Sequence, residues 1–275
     1  MKFYYYAILS ITYLWGVVVA HRDASIRRMD GLETGEFSVA ILGFDNIAPG
    51  KFCNVNGGKG NVAGLFNDYA IIGGGVDNDA GAIFSTITGG RENLIEREVE
   101  THSTISGGDN NVINISISSV ITGGTENRML GDRANFACTI SGGTNNTCST
   151  DIGVATGLFN AANNVAAVAF GGAANEVNGQ SATSVGGEDR TINGDFSIGL
   201  GKITNVNNDS SMVINLAVSR SEESEVFISD TDVDGQFLVN AESFTFQIGK
   251  NRDDLRFQIT EDNIQNLITA LENAA

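Results

Sequence analysis

The chain has 275 residues, and its 33 acidic side chains outnumber 16 basic ones to give a formal net charge of −17. That balance argues against nucleic-acid backbones and anionic membrane surfaces as partners. With 41% hydrophobic residues the composition is not that of a disordered chain, and two histidines leave little material for acid–base catalysis.

The N-terminus reads as a secretory signal peptide over residues 1–20. Lys2 supplies a basic start, Phe3 to Val19 an apolar run, and Val18-Val19-Ala20 a small-residue cleavage site before His21. A run of roughly 17 residues is near the lower limit for a membrane span, and no second run of that length follows. The expectation is a mature chain without an integral membrane span, secreted or held at the cell surface. Residues 21–37 form a lead-in. Export would place Cys53, Cys138 and Cys148 in an oxidising compartment. Their spacing fits no zinc pattern, which leaves three buried thiols or a Cys138–Cys148 bridge across one coil.

From residue 38 to 208 a repeat governs the sequence. The second glycine of each phrase falls at Gly43, Gly58, Gly75, Gly90, Gly108, Gly124, Gly143, Gly157, Gly172, Gly187 and Gly201, at spacings of 14 to 19 residues. Three residues later stands an asparagine: Asn46, Asn61, Asn78, Asn93, Asn111, Asn127, Asn146, Asn160 and Asn175, with Arg190 and Thr204 breaking the series. An apolar side chain precedes the glycine by about three residues (Val55, Ile72, Ile87, Ile105, Ile121, Ile140, Val154, Val168, Ile198). A second follows the asparagine by two (Ala48, Ala63, Ala80, Ile95, Ile113, Met129, Cys148, Ala162, Val177, Ile192, Val206). Short alternating segments between Gly/Asn turns predict strands. A period near 16 with two strands per unit predicts an all-β fold, a parallel β-solenoid (β-roll) of about eleven short coils. The asparagines are expected to cap turns and stack as a ladder.

The stretches FSVAILGFDNIAPG (37–50), NVAG (61–64) and NEVNGQSATSVGG (175–187) resemble the head repeats of YadA-type trimeric autotransporter adhesins. The resemblance covers about residues 38–208 and implies a left-handed parallel β-roll and a homotrimer. Two features depart from that family: Gly-Gly with Asn replaces the single glycine in most coils, and Thr or Ser flanks many inward positions. No C-terminal anchor of four long amphipathic strands follows, so a secreted or cell-wall relative is expected.

Residues 209–275 read as a C-terminal β cap plus a short helix. SMVINLAV (211–218), EVFI (225–228), QFLVNAESFTFQI (236–248) and LRFQI (255–259) predict strands with bulkier side chains than the solenoid uses. Residues 261–273 carry a helical stripe of Ile264, Leu267, Ile268 and Leu271, with Thr260 as its N-cap. Within SDTDVDGQF, Asp230, Asp232 and Asp234 with Gly235 match the first half of a calcium loop, and the rival reading is a hairpin turn. Calcium is the one candidate cofactor, and none is required.

Nothing assembles an active site. His21 and His102 lack an orienting partner in sequence, and NGGKGN (56–61) lacks phosphate-loop spacing. The expected function is that of a secreted or cell-surface structural and adhesive protein, a surface, matrix or cell-wall component rather than an enzyme. The alternative is ice binding through an outward array of Thr86, Thr88, Thr104, Ser106, Thr122, Thr139 and Ser141.

Overall fold

The computed structural model describes residues 35–40, 43–65, 67–96, 102–114, 116–130, 135–216, 229–241, 243–248 and 255–260. The expected signal peptide, the strand at 225–228 and the terminal helix lie outside the described residues. The chain is an all-β parallel β-solenoid, with no helix among the described residues. It divides into two units, residues 1–151 and 152–275. Seven of the repeat glycines fall in the first and four in the second, about eleven coils in all.

In the first unit most coils contribute two strands of two residues each. One side carries Asn54–Val55, Ile71–Ile72, Thr86–Ile87, Thr104–Ile105 and Val120–Ile121. The other carries Val62–Ala63, Asp79–Ala80, Leu94–Ile95, Val112–Ile113 and Arg128–Met129. Each strand pairs in parallel register with its counterpart one coil on, so Thr86 faces Thr104 and Ile87 faces Ile105. Because side chains alternate along a strand, the second residue of each pair turns inward. Val55, Ile72, Ile87, Ile105 and Ile121 on one side, and Ala63, Ala80, Ile95, Ile113 and Met129 on the other, are all buried. Burying one such aliphatic side chain contributes roughly 1.5–3 kcal/mol before entropy is counted. One coil cannot enclose these residues by itself, so stacking is what makes the repeat fold.

The glycine anchors mislead in the second unit. Val154, Val168 and Ile198, expected in the core, lie on the outer side, and the following residues Ala155, Ala169 and Gly199 are buried instead. Two of these coils carry a single corner glycine, Gly157 or Gly201, and are one residue shorter there. The first shows directly as a register shift between Thr156 and Leu158. On the opposite side Ala162, Val177, Ile192 and Val206 are buried as expected. Large and small residues compensate across the interior. At Gly199 an added Cβ would lie 2.3 Å from Ile192 Cδ1, so glycine is what admits the isoleucine. Parallel stacking also continues past residue 208: Ile198–Gly201 pairs with Met212–Asn215, which pairs with Phe237–Asn240. Beyond it Ser243–Ile248 and Leu255–Thr260 form an antiparallel pair, so Thr260 ends a strand.

The corners use two devices. Glycine is required where neighbouring coils touch: at Gly90 φ is +96° and a Cβ would lie 2.2 Å from the Gly108 carbonyl oxygen. Two residues after every repeat glycine but Gly58, where Gly60 stands, the chain adopts a left-handed conformation without glycine, as at Asp77, Glu92, Asn110 and Glu126. The facing corner does the same at Phe37, Phe52, Tyr69 and Phe84. The stacked neighbours hold these residues in a region that costs an ordinary side chain about 1–2 kcal/mol.

Of the two cysteine readings, the bridge is the one realised: Cys138 and Cys148 are disulfide-bonded, with Cα atoms 6.5 Å apart. Cys53 is a free, buried thiol, and burial raises its pKa.

Candidate functional site

The asparagine series is a continuous hydrogen-bonded ladder inside the first unit. Asn111 Nδ2 donates to Asn93 Oδ1 at 3.0 Å, to the Gly107 carbonyl at 3.0 Å and to the Gly124 carbonyl at 2.9 Å. Its Oδ1 accepts from the Asn127 backbone N–H at 3.1 Å and from Asn127 Nδ2 at 3.0 Å. Asn61, Asn78, Asn93 and Asn127 repeat the pattern. Asn46 starts the series by accepting from Asn61, and Asn146 donates back to Asn127. In the second unit Asn175 donates to Asn160 Oδ1 at 3.0 Å, and Arg190 Nε to Asn175 Oδ1 at 3.1 Å. Buried amides engaged in this way are structural and offer nothing to a ligand.

What faces outward differs between the units. In the first, the strand pairing aligns Val39, Asn54, Ile71, Thr86, Thr104, Val120 and Thr139 in one rank, with hydroxyls in its later coils. Thr88, Ser106, Thr122 and Ser141, each two residues on, are exposed and form a second rank. Coils stack at ~4.8 Å and residues two apart lie ~6.7 Å along a strand, so over the last four coils seven hydroxyls and one valine make a two-rank grid. The structure therefore brings together all seven residues proposed as a contact face.

At the equivalent side of the second unit the ranks are mostly apolar. Val154, Val168, Thr183, Ile198, Met212 and Phe237 align in one rank. Thr156, Phe170, Val185, Leu200, Ile214 and Val239 align in the other, so one threonine interrupts each rank. Phe170 is 56% exposed and Phe237 63%. The register error in the glycine anchors hid these ranks in the sequence.

Two further surface features went unread. Phe37, Phe52, Tyr69, Phe84 and His102 stack face to face, with ring centroids 4.9–5.0 Å apart. Their recurrence at 15 to 18 residues was the available signal, and it places His102 at the end of an aromatic stack. In the second unit Asn163, Asn178, Asn193 and Asn207 form an exposed amide ladder with spacings of 2.9, 2.9 and 2.7 Å. Arg91 and Asp109 form a two-pronged ion pair at 2.7 Å, in which the guanidinium hydrogen bonds hold the Asp109 carboxyl below its usual range.

Of the aspartates proposed for calcium, Asp234 has its side chain in a corner cap. Asp234 Oδ1 accepts from the Asp209 N–H at 3.1 Å, and Asp209 Oδ1 accepts from the Asp195 N–H at 2.8 Å, a corner cap repeated by successive coils. The Asp232 N–H donates to Gln236 Oε1. Asp230 ends a two-residue strand. Among the described residues no three His, Cys, Asp or Glu side chains gather as metal ligands, and no helix is long and apolar enough to cross a membrane. No protein-family model matches the chain, and no curated protein matches it at a significant level.

Proposed function

We propose that this chain is a secreted or cell-surface structural and adhesive β-solenoid, acting through its faces rather than through catalysis. The observation that supports it best is the contrast between the outward ranks, hydroxyl-rich over the last four coils of the first unit and mostly apolar in the second. An in-register apolar sheet of Val, Ile, Leu, Met and Phe is costly to leave in water. A second copy of the same chain, with the same flat ranks, buries it. The resemblance to trimeric adhesin heads makes three the expected number of copies. Assembled copies would display the hydroxyl face repeatedly, and weak contacts add by multivalency. The apolar N-terminal run and the bridged cysteines suit export. Calcium at Asp230, Asp232 and Asp234 would act on the end of the second unit.

Retention of the purified full chain on polysaccharide, matrix and mineral surfaces tests the adhesive role. Replacing Thr104 and Thr139 by Lys should reduce retention at least tenfold, because two bulky charges break the grid. Equal retention of variant and parent would remove the hydroxyl face from the account.

The hydroxyl grid also supports a second reading, ice binding. Threonines in register at ~4.8 Å by ~6.7 Å form a regular, flat array. Thermal hysteresis abolished by Thr104→Lys would establish it, and none at high protein concentration would dismiss it.

A further inference from the structure

The interior of the second unit holds a charge that no described residue balances. Arg190 occupies the ladder position and is 1% exposed. Its Nε donates to Asn175 Oδ1 at 3.1 Å, and Nη1 donates to the Gly199 carbonyl. Nη2 has no partner. Both acceptors are neutral, and no carboxylate pairs with the guanidinium among the described residues. Burial pushes its pKa down only to about 10, so it remains protonated at neutral pH. A buried cation with one fork unfilled is strongly disfavoured unless something answers it.

A second orphan lies beside it. Ser184 Oγ is fully buried and makes no hydrogen bond. Ser184 is the strand partner of Gly199, the residue whose carbonyl holds Nη1. At Gly187, three residues after Ser184, a Cβ would lie 3.0 Å from Arg190 Cζ. The guanidinium therefore fills space that glycine leaves open, next to the rung where Ser184 and Gly199 replace the larger residues of the first unit.

The chemistry of the two orphans specifies the guest. Nη2 carries only N–H donors and Ser184 Oγ carries an O–H donor. A water could accept from Nη2 and donate to the lone pairs of Ser184 Oγ, but it would leave the guanidinium charge unanswered. An anion brings acceptor capacity and the missing charge. Both groups are buried between stacked coils, which favours a small ion over sulfate, phosphate or a carboxylate. We infer that Arg190 and Ser184 form a buried site for a small monovalent anion, chloride in physiological media.

The full chain is dialysed into gluconate buffer and melted against added chloride or bromide at constant ionic strength. Halide should raise Tm in proportion to the logarithm of its concentration above Kd, by about 3–5 °C per tenfold. Arg190→Asn, which restores the ladder amide, should abolish the response, and Ser184→Ala should weaken it. Crystals grown in bromide should show anomalous density between Nη2 and Oγ. An unchanged halide response in Arg190→Asn would overturn the site. So would a wild-type bromide crystal with water there and no anomalous signal, a measurement that does not depend on the variants folding.

Discussion

Replacing Asn111 by alanine removes a middle rung of the first unit's ladder, and the structure allows its cost to be worked group by group. The Gly124 carbonyl keeps the Asp109 N–H at 2.9 Å, and Asn93 Oδ1 keeps the Asn111 backbone N–H at 3.1 Å. The Asn127 backbone N–H loses its acceptor, and the Gly107 carbonyl loses its Nδ2 donor. A buried polar group left unsatisfied costs about 1–3 kcal/mol, so two give about 4 kcal/mol. Urea unfolding of the full chain followed by circular dichroism measures this against Thr88→Ala, an exposed control expected within about 0.5 kcal/mol. Asn93 and Asn111 share a hydrogen bond, so the double alanine variant should cost less than the sum of the singles by about 0.5–3 kcal/mol. A cost below about 1 kcal/mol for Asn111→Ala, or strict additivity with Asn93→Ala, would refute the ladder as a source of stability.

Reduction of the Cys138–Cys148 bridge, which closes a loop with sequence separation 10, should lower stability by roughly 2.5–3 kcal/mol on the loop-closure estimate. Denaturant midpoints with and without reductant would show it. Gly199→Ala should cost about 1–3 kcal/mol through collision with Ile192, and Ile192→Val should restore part of that loss, as thermal melts of the single and double variants would show. Asp109 should titrate below an ordinary aspartate by NMR and return to the usual range in Arg91→Gln. Its depressed pKa means that the pair's contribution is present above the unfolded-state pKa and is lost as pH falls through the folded value. Cys53 should react with a thiol reagent only at the rate of unfolding, since it is buried with its pKa raised.

Most of the architecture was legible because each repeat position has one physical duty. Gly90 must approach Gly108, Asn93 must bridge coils, and Ile87 and Ile95 must fill the interior, so the same residue types recur wherever the duty does. The sequence misled where a corner lost one of its two glycines and became a residue shorter. Anchoring on Gly157 and Gly201 moved the apparent core by one residue, and in a strand one residue exchanges inside for outside. Val154 and Ile198 therefore read as core, while Ala155 and Gly199 occupy it. The apolar ranks disappeared from view through the same slip. Arg190 read as a mere break in the asparagine series, because only three dimensions show Ser184 and Gly199 making room for a guanidinium. Within SDTDVDGQF, the cap that Asp234 provides depends on Asp209 from another coil, which linear spacing cannot express.

Assembly through the second unit's apolar ranks is the claim on which the adhesive account turns, because single hydroxyl contacts are weak and only repetition makes them useful. Light scattering of the full chain, with and without calcium, tests it directly against Phe170→Glu and Ile214→Glu, which place carboxylates in the second rank. We predict a mass three times that of the chain for the parent and the mass of a single chain for the variants. A monomeric parent, or variants that keep the parent's mass, would contradict it.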